Sequence, residues 1–254
     1  EDQAVWLKAA VGRYHQPPRF LIPIPGLDQL PLDRGLLEAT QVSLGAELPL
    51  WSTFSLDLQA YYSDMDPVIF DLQGNPDVAD VQTQGPTALP GSEVAEGDFV
   101  EGFPIDEFFE PQSGRAYGAE LLLRRRSRNG IYGWLAYSLS RSERRRDGEW
   151  VPFDFDRTHI LNLVIGVPLP RNWELGARVN YQSGTPATTT FGYNAARKDD
   201  YLRADLRIDK RAVWNDWMLD FYIDILNATL SPEELGPGQL FRYVLPTVGL
   251  RAKL

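Results

Sequence analysis

Cysteine is absent from the 254-residue chain, and histidine occurs only at His15 and His159. The first absence excludes a disulfide scaffold and thiolate-ligated zinc, and the second leaves too few imidazoles for a His-rich metal site. Long apolar runs are missing too. No stretch approaches the roughly 18 consecutive apolar residues of a spanning helix, which excludes a helical membrane protein. A spanning β-barrel stays open, because its strands alternate apolar and polar residues and are compatible with the mean hydropathy of -0.30. Positive charge is in deficit: 25 Lys and Arg face 35 Asp and Glu, a net charge of -10, with no dominant basic block. That argues against nucleic acid as a partner, since phosphate binding needs a concentrated basic surface. Gly-rich phosphate loops, Gly-x-Ser-x-Gly elbows, His-Glu-x-x-His pairs and calcium-loop patterns are also missing. The sequence opens on Glu1-Asp2-Gln3 without an initiator Met or a leader, so a processed chain or a piece of a longer one is expected.

What is present is a period of two, recurring in segments of about ten residues. From 54 to 63, Phe54, Leu56, Leu58, Ala60 and Tyr62 oppose Ser55, Asp57, Gln59, Tyr61 and Ser63. The same split sets Trp173, Leu175, Ala177, Val179 and Tyr181 against Glu174, Gly176, Arg178, Asn180 and Gln182, and it returns over 201–209 and 217–225. Weaker alternation covers 5–13, 40–48, 116–126, 130–141, 159–167 and 241–254, giving ten candidate strands. Over 130–141 the face is ambiguous, because Ile131, Leu135 and Leu139 compete with Tyr132, Trp134 and Ala136. Pro246 interrupts the last segment, where it fits a bulge or an unpaired position.

Connections alternate in length. Those at 49–53, 127–129, 168–172 and 212–216 are short; those at 14–39, 64–115, 142–158, 183–200 and 228–240 are long. This is the loop asymmetry of an up-and-down outer-membrane barrel with short periplasmic turns and long outer loops. A soluble sandwich alternates as well, but its strands run about 5–6 residues, whereas a tilted membrane strand needs about 9–11. Aromatics at the strand ends agree with the barrel: Phe54 and Tyr62, or Trp173 and Tyr181, lie eight positions apart, which at ~3.3 Å per residue approaches the ~25 Å band between aromatic girdles. The opposite face, with Lys8, Glu47, Asp57, Glu120, Arg124, Glu174, Arg178, Arg203, Asp205, Arg207, Asp209, Asp220, Asp224, Arg251 and Lys253, then lines a lumen where neighbouring strands pair charges across the ladder. No repeat, heptad or linker marks a boundary, so residues 1–254 read as one β-barrel region without a plug domain.

Particular residues carry a family likeness. The "FDFDRTHILNL" run at 153–163, "NWELGARVNYQSGTP" at 172–186, and "RADLRIDKR" at 203–211 leading to "DFYIDILNAT" at 220–229 resemble the C-terminal strands of TonB-dependent outer-membrane receptors, over roughly 113–254. The resemblance implies an all-β, antiparallel up-and-down transmembrane barrel of which these ten strands are part, since such transporters use about 22 strands around a plugged lumen. It also implies a place in the bacterial outer membrane among its lipids. The implied role is import of a small-molecule ligand of the iron-chelate, cobalamin or glycan class, driven by a periplasmic energy-coupling protein through a plug not present here. The chain ends in Leu254, where the family usually has an aromatic residue.

The alternative is a self-contained ten-stranded outer-membrane barrel acting as a protease-like enzyme or adhesin. His159 close to Asp154 and Asp156 invites the protease reading, which requires the imidazole and a carboxylate within hydrogen-bond reach; the bland and favoured reading is an ordinary loop-closing segment. The acidic loop containing Glu93, Glu96, Asp98, Glu101, Asp106, Glu107 and Glu110 suits a hard cation, although such a run is more often solvated. Arg124, Arg125, Arg126 and Arg128 at a short turn are expected in the headgroup zone or facing the periplasm. No residue is assigned a catalytic, cofactor-binding or metal-ligating role, no cofactor is implied, and transport rather than catalysis is expected.

Overall fold

A computed structural model describes residues 4–16, 36–51, 53–68, 112–127, 130–190, 192–215, 217–236 and 239–253. The elements in chain order are β1 (Trp6–Gln16), β2 (Leu37–Leu50), β3 (Phe54–Val68), β4 (Gln112–Arg125), β5 (Tyr132–Arg146), β6 (Glu149–Pro152), β7 (His159–Leu169), β8 (Trp173–Gln182), β9 (Pro186–Thr189), β10 (Gly192–Arg197), β11 (Tyr201–Trp214), β12 (Trp217–Leu226), β13 (Pro232–Gly236), β14 (Gln239–Arg242) and β15 (Leu245–Lys253). Ten of them form one antiparallel path, β1-β2-β3-β4-β5-β7-β8-β11-β12-β15, and β6 pairs with the end of β5. Among the described residues no helix is long and apolar enough to cross a membrane; the crossing elements are strands. The long strands β2, β3, β4, β5 and β11 have 14 or 15 residues, more than the roughly 9–11 a bilayer needs, so they project beyond it.

Register follows from side-chain alternation, because a slip of one residue would turn each apolar set to the wrong face. Val11 lies opposite Val42, Val42 opposite Tyr62, and Tyr62 opposite Tyr117. Farther along the sheet, Leu163 is opposite Val179, Ala177 opposite Leu206, Leu206 opposite Ile225 and Ile223 opposite Val248. The outcome is one continuous apolar face, much of it exposed, as at Val11, Leu44, Leu175, Leu206, Phe221, Ile223 and Val248. Such an area open to water is unusual for a soluble protein and suits hydrocarbon. Its aromatics fall at two levels, Tyr62, Tyr117, Tyr137 and Tyr181 toward the long loops, and Phe54, Trp173, Trp214 and Trp217 toward the short turns. Tyr62 and Tyr117 stack at 6.4 Å.

Cross-strand partners resolve the ambiguous segment. Leu135 faces Leu123 and Leu163, and Tyr137 faces Leu121 and Leu161, so both lie on the apolar side with Leu139. Tyr132, Trp134 and Ala136 take the opposite face, which over β4, β5 and β7 carries Leu122, Ile160 and Val164 as well. Both faces are partly apolar there, and that is why alternation alone could not choose.

Three expectations need correcting. The last wall strand starts at Leu245 rather than 241, since residues 239–242 pair with 232–236 in a separate hairpin. Pro246 does not sit at a bulge: it lies opposite Ile225 in unbroken register, on a strand with one neighbour among the described residues, a setting in which a missing N–H is tolerated. The connections expected as long loops over 142–158, 183–200 and 228–240 hold β6, the β9–β10 hairpin and the β13–β14 hairpin. The β5–β6 hairpin turns through Asp147 (φ 50°) and Gly148 (φ 84°), the Asp-Gly pair that a tight turn with two positive φ angles favours.

Among the described residues, strands β1 and β15 each have a single neighbour and stand at opposite ends of the path. The sheet they form is open, whereas a self-contained ten-stranded barrel would join them. Open edges are not tolerated in hydrocarbon without further partners.

Candidate functional site

All fifteen charged residues expected on the polar face share it, as their register shows: Lys8 with Glu47 and Asp57 on β1–β3, Arg178 opposite Asp205, Arg207 opposite Asp224, and Asp220 opposite Arg251. Over β8, β11, β12 and β15 this face encloses a concavity of about 790 Å³. Its centre is Arg207, whose Nε and Nη2 donate to the two carboxylate oxygens of Asp209, both at 2.8 Å. Nη1 reaches Asp224 at 3.3 Å, and the guanidinium lies 4.0 Å from the centre of the Tyr222 ring. Arg203 donates to Asp205 at 2.8 Å and Arg211 to Asp220 at 2.7 Å.

Pairing across the ladder thus occurs at Arg207–Asp224, Arg211–Asp220 and Lys8–Glu47. The contacts Arg203–Asp205 and Arg207–Asp209 instead run along one strand. Residues two apart share a face at a spacing an Arg side chain spans easily, so the sheet neutralises itself locally. Arg178 and Arg251 also line the concavity and have no ion pair within 4 Å among the described residues.

The second cluster sits at the loop end and grows from the Phe153-Asp154-Phe155-Asp156 run. Asp156 is 2% exposed, a burial a carboxylate tolerates only with full partnering. Its Oδ1 accepts from the Ser142 amide at 2.6 Å, and Oδ2 accepts from Arg197 Nη2. Nη1 of the same guanidinium donates to the Gly184 carbonyl at 2.9 Å. One carboxylate therefore joins β5 to the last residue of β10 and, through that guanidinium, to the segment before β9. Asp154 extends the clasp, accepting from Tyr193 Oη and Asn194 Nδ2, both at 2.8 Å, while Asn194 Nδ2 also donates to the Pro152 carbonyl at 2.7 Å. Glu143 takes Arg115 at 2.7 Å and Arg141 at 3.2 Å. Arginines stack over rings around it, Arg115 on Trp150, Arg144 on Phe153 and Arg146 on Tyr193.

Nearby, Asp200 lies between β10 and β11 and accepts from Tyr181 Oη at 2.6 Å and from the Gly184 amide at 3.0 Å. The Tyr181 hydroxyl, and after it the Gly184 N–H, hold its carboxyl below the usual aspartate value.

His159 does not join its neighbouring carboxylates. Its Nδ1 is 2.8 Å from Tyr137 Oη and its backbone N–H donates to Ser183 Oγ, while Asp154 and Asp156 are committed to Tyr193, Asn194, Arg197 and Ser142. No contact supports the protease-like reading. The Arg cluster divides, Arg124 on the polar face opposite Trp134 and Arg125 on the apolar face opposite Phe54; Arg128 and the acidic run 93–110 lie outside the described residues. Among the described residues no three His, Asp or Glu side chains gather as metal ligands. Sequence reasoning missed the Asp156–Arg197 clasp, whose partners stand 41 residues apart with no local pattern linking them.

A search of curated proteins finds no match. Among solved structures, the chain is similar to the ferric-catecholate import receptor Fiu of E. coli K12, with a TM-score of 0.60 and 15% identity over 98% of this chain. The pyoverdine-bound receptor FpvA of P. aeruginosa gives 0.62 and 12% over 99%, and the ferric yersiniabactin uptake receptor FyuA of Yersinia pestis 0.53 and 16% over 99%. The chain spans only about a third of each, 32%, 31% and 35% of their lengths; at these identities the likeness is one of fold. The family model described as "TonB dependent receptor-like, beta-barrel" matches residues 37–227. With ten strands in that order, an apolar outer face between two aromatic levels and a charge-paired inner face, the chain belongs to the TonB-dependent receptor β-barrel family of the bacterial outer membrane.

Proposed function

We propose that this chain forms part of the wall and outer rim of a receptor that captures a scarce nutrient at the cell surface and admits it by TonB-dependent transport. The observation that carries the reading is the division of labour within one sheet. Lipid is met by the apolar face, while the opposite face holds a hydrated, locally neutralised concavity of about 790 Å³. A surface of that kind accommodates a polar plug that offers acceptors to Arg178 and Arg251, the two lining arginines without an ion pair among the described residues. The 254 residues act as a single barrel region, and a plug and an energy-coupling segment complete the transporter. Long loops supply ligand capture, with the β5–β6 and β9–β10 hairpins held by the Asp156 clasp.

Ferric chelates are the first ligand class to test, because the structurally similar proteins are described as receptors for them. Deleting the gene should abolish growth on ferric-chelate iron under iron limitation, with rescue by the full gene but not by one lacking residues 186–197. Unimpaired iron-limited growth of the deletion strain, with failure on cobalamin or a glycan instead, would reject the iron class; normal growth on all three would reject the transport reading.

A further inference from the structure

Where the lumen face meets the rim, Arg157, Asn180, Gln182, Thr185, Lys198 and Asp199 help to line a concavity of about 520 Å³, a size ordinary for a small-molecule site. Asn180 and Gln182 belong to the lumen side by register, opposite Arg203 and Tyr201 and in step with Arg178 opposite Asp205. Their amides are already oriented: Asn180 Nδ2 donates to Asn162 Oδ1 at 2.7 Å and Gln182 Nε2 to Asn180 Oδ1 at 3.0 Å. A second N–H on each is left without a partner among the described residues. Backbone ties fix the rest of the lining. Ser140 Oγ donates to the Arg157 carbonyl at 2.8 Å, and the Lys198 amide to the Thr185 carbonyl at 2.9 Å. Gly184 is required beside them, because an added Cβ would run into the Lys198 carbonyl.

Charge sets this concavity apart from the one around Arg207. There, carboxylates take up Arg207 and Arg211. Here, neither Arg157 nor Lys198 has an ion pair within 4 Å among the described residues. The neighbouring carboxylates are committed elsewhere, Asp156 to Arg197, Asp154 to Tyr193 and Asn194, and Asp200 to Tyr181 and the Gly184 amide. Asp199 is the one carboxylate in the lining, which leaves an excess of positive charge and of hydrogen-bond donors in a chain that is acidic as a whole.

We propose that this concavity binds the negatively charged oxygens of an anionic iron(III) chelate and so selects anionic chelates over neutral ones, a selection that rests on the chain's being part of a receptor for ferric chelates. Arg157 and Lys198 supply the charge, and the unpartnered N–H groups of Asn180 and Gln182 serve oxygens that neither cation takes. A ligand settling here strips water from both cations, a cost that an anion offsets and a neutral chelate does not. Asp199 limits the attraction.

The test is uptake of radioactive iron by cells in which the full-length protein is the only ferric-chelate receptor. The probes are trianionic iron(III) tris-catecholate, anionic iron(III) citrate and a neutral iron(III) tris-hydroxamate. Wild type should take up at least one anionic chelate and not the neutral one. Arg157→Gln combined with Lys198→Gln should raise the half-saturating concentration about tenfold, the loss of a charge-assisted contact, with the maximal rate unchanged. Asp199→Asn, which removes only the opposing charge, should lower it about threefold. A purely structural role would not give shifts of opposite sign, and the heat-modifiable gel shift should match wild type in both variants. Uptake of the neutral chelate as efficient as that of the anionic ones, or a half-saturating concentration unmoved in the double variant, would overturn the charge selection while the receptor reading stands. Absence of uptake from all three probes would instead reject the reading as a ferric-chelate receptor, and the selection with it.

Discussion

The two ends of the wall are held in place by different means. Every buried polar side chain among the described residues, Ser63, Glu143, Asp156, Ser183, Asn194, Asn227 and Ser231, belongs to the loop end. The short-turn end has none. It is decided instead by single backbone angles at Trp51 (φ 51°), Arg171 (61°), Asn172 (60°) and Asn215 (51°). A turn of two to four residues needs only residues that accept positive φ, whereas long connections keep one shape only where buried polar groups find distant partners. The loop end is therefore fixed by buried side-chain contacts between distant segments, whereas the turn end relies on local conformation together with two surface ties, the Arg126 amide to the Thr53 carbonyl and Lys210 to the Arg171 carbonyl.

Removing Asp156 should break this difference most severely. Asp156→Ala leaves the Ser142 amide and the Arg197 guanidinium without their shared acceptor, a loss of about 3–5 kcal/mol as for a buried pair stripped of one partner. Hydrogen exchange of detergent-solubilised protein should show 140–146 and 186–197 losing protection together, with 170–176 and 212–219 unchanged. Protection lost in only one of the first two segments would mean that the carboxylate does not couple them.

Asn227 comes next. At 1% exposure it bonds both polar groups of Ser231, Oδ1 accepting from the amide and Nδ2 donating to the carbonyl, each at 2.8 Å, and its own amide donates to Asp205 at 2.8 Å. Asn227→Ala deletes the first two bonds and leaves alanine at φ 56°, for about 2–3 kcal/mol. The midpoint of urea unfolding, followed by the heat-modifiable gel shift, should fall. Asn227→Asp should recover part of the loss through the Ser231 amide.

The turn end should respond less and only locally. Asn215→Ala, at φ 51° between Trp214 and Trp217, should cost about 1 kcal/mol, and Asn215→Gly close to nothing. Exchange should rise at 212–219 and nowhere at the loop end. Spread of the effect to 186–197 would erase the distinction between the two ends.

The same contrast explains what the sequence could tell. Ten wall strands, all fifteen of their expected lumen-facing charges and the pairs of girdle aromatics follow from a period of two, because each residue's face depends only on its own parity. Where both faces carry apolar residues, as around Leu122, Trp134 and Val164, parity loses its contrast and the β5 segment stays ambiguous. The β9–β10 hairpin was not legible because it rests on contacts such as Arg197 to Asp156 and Asn194 to Asp154. Those partners lie some forty positions apart, with no local pattern linking them.

The smallest effect concerns Asp200, which ties the rim to the wall through one phenol and one amide. Its carboxyl is held below the ordinary value of about 3.9, chiefly by the Tyr181 hydroxyl and then by the Gly184 N–H. A depressed carboxylate contributes stability that is present above its unfolded value and lost as pH falls through its folded one. Protection of the Gly184 amide should accordingly persist below the pH at which a free aspartate takes up its proton. Tyr181→Phe removes the larger of the two causes and leaves the amide bond, so the loss should move up in pH, toward about 3.9. Hydrogen exchange read at Gly184 from neutral to strongly acid pH checks this. Identical profiles for wild type and Tyr181→Phe would mean that the phenol does not set the charge of Asp200, and that even at the loop end this residue is governed by its local turn.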